Sequence, residues 1–225
     1  DFGSRTAGMD KILGGISRAK VDDKIKGIKL YSGLIGSGWA QTREIRKALA
    51  EFKNSGKFIY AYSDFMSQKG YYMSSIADSI FMNPIGIMEL KGLSSEVLYY
   101  EDFQNQYGVK MEVIRHGKYK SAVEPYLQDH MSAENRTQIQ DLLNSVWGTL
   151  RDEVSESRGL APSSIDALAN ELIVTDAREA LAQGLIDGLI YKKGFENKIK
   201  AALKIDEEEE YNAISSNKIN IRIQE

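Results

Sequence analysis

An α/β fold is what this sequence predicts, on three observations. Two β-type segments, "KIKGIKLYS" at 24–32 and "KFIYAYS" at 57–63, flank a strongly amphipathic helix, "AQTREIRKALAEFKNSG". The order strand, helix, strand then recurs more loosely up to residue 115. The second half reads mostly as helix. A strand, helix, strand unit of this length favours parallel pairing with a right-handed crossover.

The elements follow in order. Residues 9–20 place Met9, Ile12, Leu13 and Ile16 at helical spacing, and Gly14 and Gly15 each weaken that helix by about 1 kcal/mol relative to alanine. The first strand alternates Ile25, Ile28 and Leu30 with lysines, and the second is aromatic and β-branched, as a half-buried pleated surface requires. Gly56 ends the helix between them. The pattern then predicts a helix over 68–77, a short strand "SIFMN", a turn at Pro84 and a second short strand "GIMEL". A helix from Ser94 or Ser95 to Tyr107 and a strand over "VKMEVIR" at 109–115 come next. Residues 132–159 form one long helix that Ser132 can cap, striped by Ile139, Leu142, Leu143, Val146 and Leu150. Pro162 and Thr175-Asp176 open two further helices, and Gly184 suits the left-handed position that closes the second. The acidic run "DEEEE" at 206–210 and the polar tail lack apolar periodicity, so 206–225 is expected to be a linker.

Composition narrows the function. At 225 residues and 42% hydrophobic, the chain can bury one substantial core, so a single domain over 1–225 is expected. Twenty-nine basic against 32 acidic residues give a net charge of -3, which carries no nucleic-acid footprint. The chain has no cysteine, which excludes disulfides, thiol catalysis and thiolate metal sites. His116 and His130 are the two imidazoles, lack metal-ligand spacing and read as loop residues. No apolar run approaches the roughly 20 residues of a membrane span, so any export signal or anchor lies elsewhere.

The chemistry-bearing stretch is "RHGKYKSAVEPYL" at 115–127. Ser121-Ala-Val-Glu124 has capping-box spacing, so Ser121 reads first as a helix cap. Lys120 then stands at a helix mouth, where the positive end of the dipole disfavours a second positive charge and helps lower its pKa. Service as a general base near neutrality needs a fall of roughly 3 units from about 10.4. Lys118 lacks that placement. "SGLIGSGW" at 32–39 sits between strand and helix but has neither a Gly-x-Gly-x-x-Gly spacing nor a GK[ST] word, so it is a weak phosphate loop and an equally good backbone turn facing a cleft. "SQKGYYMSS" at 67–75 opens a helix where α/β hydrolases hold a nucleophile, but Gln68 and Lys69 are not nucleophiles of that kind.

Taken together, "GKFIYAYSDFMSQKGYYMSSIADSIFMNPIG", "LKGLSSEVLYYEDFQNQYGVKMEVIRHGKYKSAVEPYL" and "MSAENRTQIQDLLNSVW" resemble the N-terminal half of the long, two-repeat form of the signal peptide peptidase A (protease IV) family. The likeness covers roughly 9–205 and is most specific in "GKYKSAVEP". It implies a Clp/crotonase-like β-β-α spiral with a helical C-terminal part, and Ser/Lys peptidase chemistry without cofactor or metal. In the long form the first repeat supplies the base lysine, which matches Lys120, and the second supplies the serine. Aligned on the family's Ser-Gly-Gly-Tyr word, "QKGYY" puts Gln68 at the serine and Lys69 at the first glycine, while Ser67 stands one residue away. The "SGLIGSG" loop lacks the Ser-Pro-Gly-Gly pattern of the oxyanion loop.

The implied whole protein degrades cleaved signal peptides and other hydrophobic peptides. It pairs this repeat with a C-terminal repeat reached through the 206–225 linker, forms a homotetramer, and is anchored to the cytoplasmic membrane on its extracytoplasmic face. A neutral lysine that takes the serine proton and returns it to the leaving amine needs no histidine. Two other readings stay open: a non-catalytic assembly or substrate-holding module, and a crotonase-like acyl-CoA enzyme.

Overall fold

A computed structural model of the chain describes residues 8–112, 121–216 and 220–224. The chain forms two compact units, residues 1–91 with 151–225, and residues 92–150.

The first unit is built on a six-stranded sheet. β1 (Gly27–Tyr31), β2 (Phe58–Met66), β3 (Ser79–Met88) and β4 (Gly188–Leu189) are parallel neighbours; β5 (Ala213–Ser216) and β6 (Asn220–Gln224) add antiparallel, β6 against β1. α1 (Met9–Val21) precedes the sheet, α2 (Trp39–Lys53) links β1 to β2 and α3 (Gln68–Ser74) links β2 to β3. Parallel neighbours need such crossovers, which cover both faces and leave the strands buried. Register sorts the faces. Ile28, Leu30, Ile59, Ala61 and Ile80 share one and are buried. Tyr31, Tyr60, Tyr62 and Phe81 share the other, packed on Phe195 and Ile199 of α8 (Lys192–Leu203). Lys29 lies on that second face and is 2% exposed. It is tolerated there because Glu196 accepts from it through both oxygens at 2.9 Å and Tyr211 Oη lies 2.6 Å away, so the buried cation is paired and hydrogen-bonded. Against the upward push of burial, hydrogen bonds from Tyr211, Lys29 and Tyr31 hold the Glu196 carboxyl below its ordinary range.

α5 (Ala133–Arg158) belongs to the second unit up to Leu150 and to the first from Arg151. In the first unit Glu153 accepts from Arg43 and Arg46 of α2 and from Tyr72 of α3. Arg46, itself buried, also donates to the Tyr72 and Glu153 carbonyls. α6 (Pro162–Asn170) and α7 (Ala177–Ala182) follow, with Pro162 at the first helical position and Asp176 accepting from the amides of Arg178 and Glu179. Gly184 takes the predicted left-handed φ of 72°.

Several elements depart from the sequence reading. The turn expected at Pro84 is a bulge inside one continuous strand: Ser63 pairs with Met82 and Phe65 with Ile87, so four residues of β3 loop out opposite one of β2. A proline, with no N–H to give a ladder, is tolerated at such a point, and Asn83 closes it by donating to Asp64 at 2.8 Å. The helix expected from Ser94 or Ser95 begins only at Glu101, as α4 (Glu101–Tyr107). Residues 109–112 are not strand; the rest of the expected 109–115 strand lies outside the described residues. Within the α5 stripe Leu150 is buried, but Leu142 is 63% exposed. The polar tail, expected as a linker, carries β5 and β6, while the acidic residues 206–210 are exposed.

Candidate active site

Two stretches hold the sequence-predicted site residues, one in each unit. In the first unit, β1 and β2 are parallel and adjacent, so the segments leaving their C-terminal ends meet; in α/β sheets this is where sites form. The loop 32–38 follows β1 and the β2–α3 elbow follows β2. Ser67 joins them: its amide and hydroxyl both donate to the Gly33 carbonyl, at 3.3 and 2.8 Å, and its Oγ accepts from the Gly70 amide at 3.2 Å. The approach is close enough to require glycine. A Cβ on Gly70 would lie 2.1 Å from the Ser32 carbonyl oxygen.

The elbow therefore has the form of a nucleophile turn without a nucleophile. Gln68, at the aligned serine position, is 7% exposed, and its Oε1 accepts from the Lys91 amide at 2.8 Å. It ties the elbow to the chain just after β3. Lys69 Nζ donates to the Ser37 carbonyl at 2.7 Å and lies 5.4 Å from the centre of the Trp39 ring. Ser67 is a helix cap whose hydroxyl donates to a backbone carbonyl. Among the described residues no three metal-capable side chains gather.

In the second unit, Lys118, Lys120 and His116 lie outside the described residues. Description resumes at Ser121, where the expected capping box gives a 3₁₀ turn, Ser121–Tyr126, with Pro125 inside it. Glu124 is 1% exposed. Its carboxylate accepts from the Ser132 hydroxyl at 2.5 Å, the Ser132 amide at 3.3 Å and Asn135 Nδ2 at 2.9 Å. Ser132 in turn accepts from the Asn135 amide at 3.1 Å, the predicted cap of α5. Glu124 is thus the residue that the sequence reading misplaced. Its partners stand 8 and 11 positions away, beyond the reach of any local capping rule. Tyr99 shares this surrounding; burial and then the Glu124 charge push its hydroxyl pKa up, against Arg136. His130 is exposed and pairs with Asp129, holding that carboxyl low.

The same unit exposes apolar surface. Tyr100 and Tyr126 stack at 5.6 Å, Phe103 and Tyr107 lie 4.7 Å apart, and all four are open to solvent with Val109, Met111 and Leu127. Gln104, Met111, Tyr126 and Leu127 help to line a cavity of about 360 Å³.

Comparison with known proteins places this geometry. Residues 51–206 match peptidase family S49. The chain is 34% identical to Protease 4 of Haemophilus influenzae, over 83% of the chain and 32% of that protein, and 34% identical to Protease 4 of Salmonella typhi, over 79% and 30%. Similarity extends to the chloroplastic serine protease SPPA of Arabidopsis thaliana, 28% identical over 85% of the chain and 28% of that protein. The chain spans about a third of the length of these curated relatives.

Proposed function

The chain belongs to peptidase family S49, a serine protease family of Clp/crotonase-like fold, and on that premise we propose that it is the base-bearing half of a Ser/Lys endopeptidase. Lys120 is the general base, and the serine nucleophile is supplied by a second repeat that follows in the whole protein. One observation carries this reading. The elbow keeps the turn, the capping serine and the close glycine of a nucleophile site, yet presents Gln68 as a backbone tether. A half that preserves the scaffold and lacks the nucleophile needs a partner that has one. Relatives about three times as long have room for it.

The substrates are cleaved signal peptides and other hydrophobic peptides. The exposed aromatic and aliphatic surface of the second unit, with its cavity, is of the kind that takes such side chains. The reaction uses no metal or cofactor: neutral Lys120 accepts the serine proton as the hydroxyl attacks the peptide carbonyl, then protonates the leaving amine. The whole protein is a homotetramer, anchored by a segment outside this chain and facing the extracytoplasmic side of the cytoplasmic membrane. Among the described residues no helix is long and apolar enough to cross a membrane.

The test is peptidase activity on a fluorogenic peptide ester, for this chain alone and for the two-repeat protein with and without Lys120→Ala. A silent fragment, an active whole protein and loss of activity on substitution are expected. Activity of the fragment returns the question to Ser67. Activity that survives Lys120→Ala makes this half a scaffold.

A further inference from the structure

The side chain of Gln68 falls on a rung of the sheet. In a parallel pair the hydrogen bonds are evenly spaced, and a strand faces a given neighbour at every second residue. At the end of the β2–β3 pair, Phe65 is in register with Ile87 and Met66 with Met88, and the Glu89 amide donates to the Met66 carbonyl at 2.9 Å. The next rung, two residues further along each chain, would join the Lys91 amide to the carbonyl of residue 68. β2 has ended by then: Ser67 caps α3, and the main chain of Gln68 is already helical. The rung is made all the same. Gln68 Oε1 accepts from the Lys91 amide at 2.8 Å, so the side-chain amide replaces the main-chain carbonyl that the elbow has carried away. Gln68 is 7% exposed, and a buried amide is costly unless it is bonded. Gln68 and Gly92 make other contacts too; this bond is the one in register with the ladder.

The place of this rung gives it a consequence. Lys91 is where the chain leaves the first unit, and Gly92, at a φ of 75°, opens the second. From Glu89 to Tyr100 the chain has neither helix nor strand, so regular backbone bonding does not fix the exit. The neighbours of Gln68 in the elbow hold chain as well: Ser67 donates to the Gly33 carbonyl and Lys69 to that of Ser37. We propose that the elbow is a clamp on the exit of the first unit, with Gln68 extending the β2–β3 ladder by one rung to hold Lys91. A serine carries its oxygen on Cβ, two carbons short of Gln Oε1, and does not span that distance. Gln68→Ser, although it restores the residue that the family's Ser-Gly-Gly-Tyr word has there, should therefore loosen the exit. The inference stands on the first unit and needs neither the base nor the substrates of the peptidase reading.

The experiment uses the chain of residues 1–225 and compares the parent with Gln68→Met and Gln68→Ser. Met keeps an unbranched side chain of similar length and removes the acceptor; Ser keeps an acceptor and loses the reach. For each, amide hydrogen exchange is followed by NMR at Lys91, at Glu89 and at Ala77, whose amide donates to the Ser74 carbonyl. The rate of trypsin cleavage at the Lys91–Gly92 bond and the melting temperature are measured beside it. The clamp predicts that exchange at Lys91 rises roughly 3- to 10-fold in both variants and that trypsin cuts faster by a similar factor. Glu89, held by the Met66 carbonyl, and Ala77 should keep their parent rates. Unchanged exchange at Lys91 in both variants overturns the proposal. So does an equal rise at Lys91, Glu89 and Ala77 that follows a fall in melting temperature, which makes Gln68 a packing residue of the elbow. Protection kept by Met and lost by Ser overturns it as well, since volume and not the acceptor then holds the exit.

Discussion

Ser67 and Ser132 each open a helix, and each hydroxyl accepts from the amide three residues on. They differ in where the hydroxyl proton goes. Ser67 gives it to the Gly33 backbone carbonyl, and Ser132 to the buried Glu124 carboxylate. The first arrangement joins two loops at the end of a parallel sheet by backbone contact. The second joins a turn to a helix across a run of sequence by charge. Capping chemistry alone thus does not mark a catalytic serine; what the oxygen is bonded to decides. The two regions also respond to different perturbations: the elbow should be sensitive to volume, the turn to charge.

The largest effect expected tests volume. Gly70→Ala puts a methyl group 2.1 Å from the Ser32 carbonyl oxygen and 2.6 Å from that of Gly33. Neither is the end of a flexible side chain, so the loop and α3 must separate. A loss on the order of 4 kcal/mol is expected in chemical denaturation, and a loss below about 1 kcal/mol would show that the loop has room to move. Next comes charge, at the half-buried Glu196. Glu196→Gln removes the carboxylate charge that faces Lys29, itself 2% exposed, at about 3 kcal/mol. The Glu196 carboxyl titrates below its usual 4.5 in the folded chain. Its contribution is therefore complete above that value and fades as pH falls through the lower folded value. Stability of the parent should drop across that acidic window, and the Gln variant should show a flatter profile there; equal slopes would remove Glu196 as the cause.

The difference between local and distant bonding also explains what the sequence disclosed. α1, α2, α5, α6 and α7 were legible because caps, apolar spacing and terminal glycines act within a few residues. The parallel β1–β2 pair followed from the helix between them. Pro84 misled because a proline in a bulge and a proline in a turn leave the same trace. The start of α4 was misplaced because Ser94 and Ser95 have the residue type of a cap, while the helix starts at Glu101. β6 was missed because antiparallel addition to β1 requires a partner some 190 positions away in sequence, about which local periodicity carries no information, and β5, which pairs with β6, was missed with it. At the candidate site the elbow's lack of a nucleophile was legible from Gln68 alone. The burial of Glu124 was not, since its spacing to Ser121 satisfied a rule that the fold did not use.

The smallest effect gives the most direct comparison of the two serines. Ser67→Ala and Ser132→Ala each remove one cap, and by that measure alone each costs about 1 kcal/mol. Their neighbours should separate them. Without Ser67 the Gly33 carbonyl still accepts from the residue 67 amide at 3.3 Å, so little beyond the cap is lost. Without Ser132 Oγ, a carboxylate that is 1% exposed keeps the residue 132 amide and Asn135 but loses the hydroxyl donor at 2.5 Å, and a buried charge short of a donor costs more than a carbonyl in the same position. Ser132→Ala should therefore exceed Ser67→Ala by roughly 1 kcal/mol in urea unfolding, with the excess reduced when Glu124→Gln is made first. An excess that persists in the double variant would mean that Ser132 acts on α5 alone and that the turn is held by its backbone.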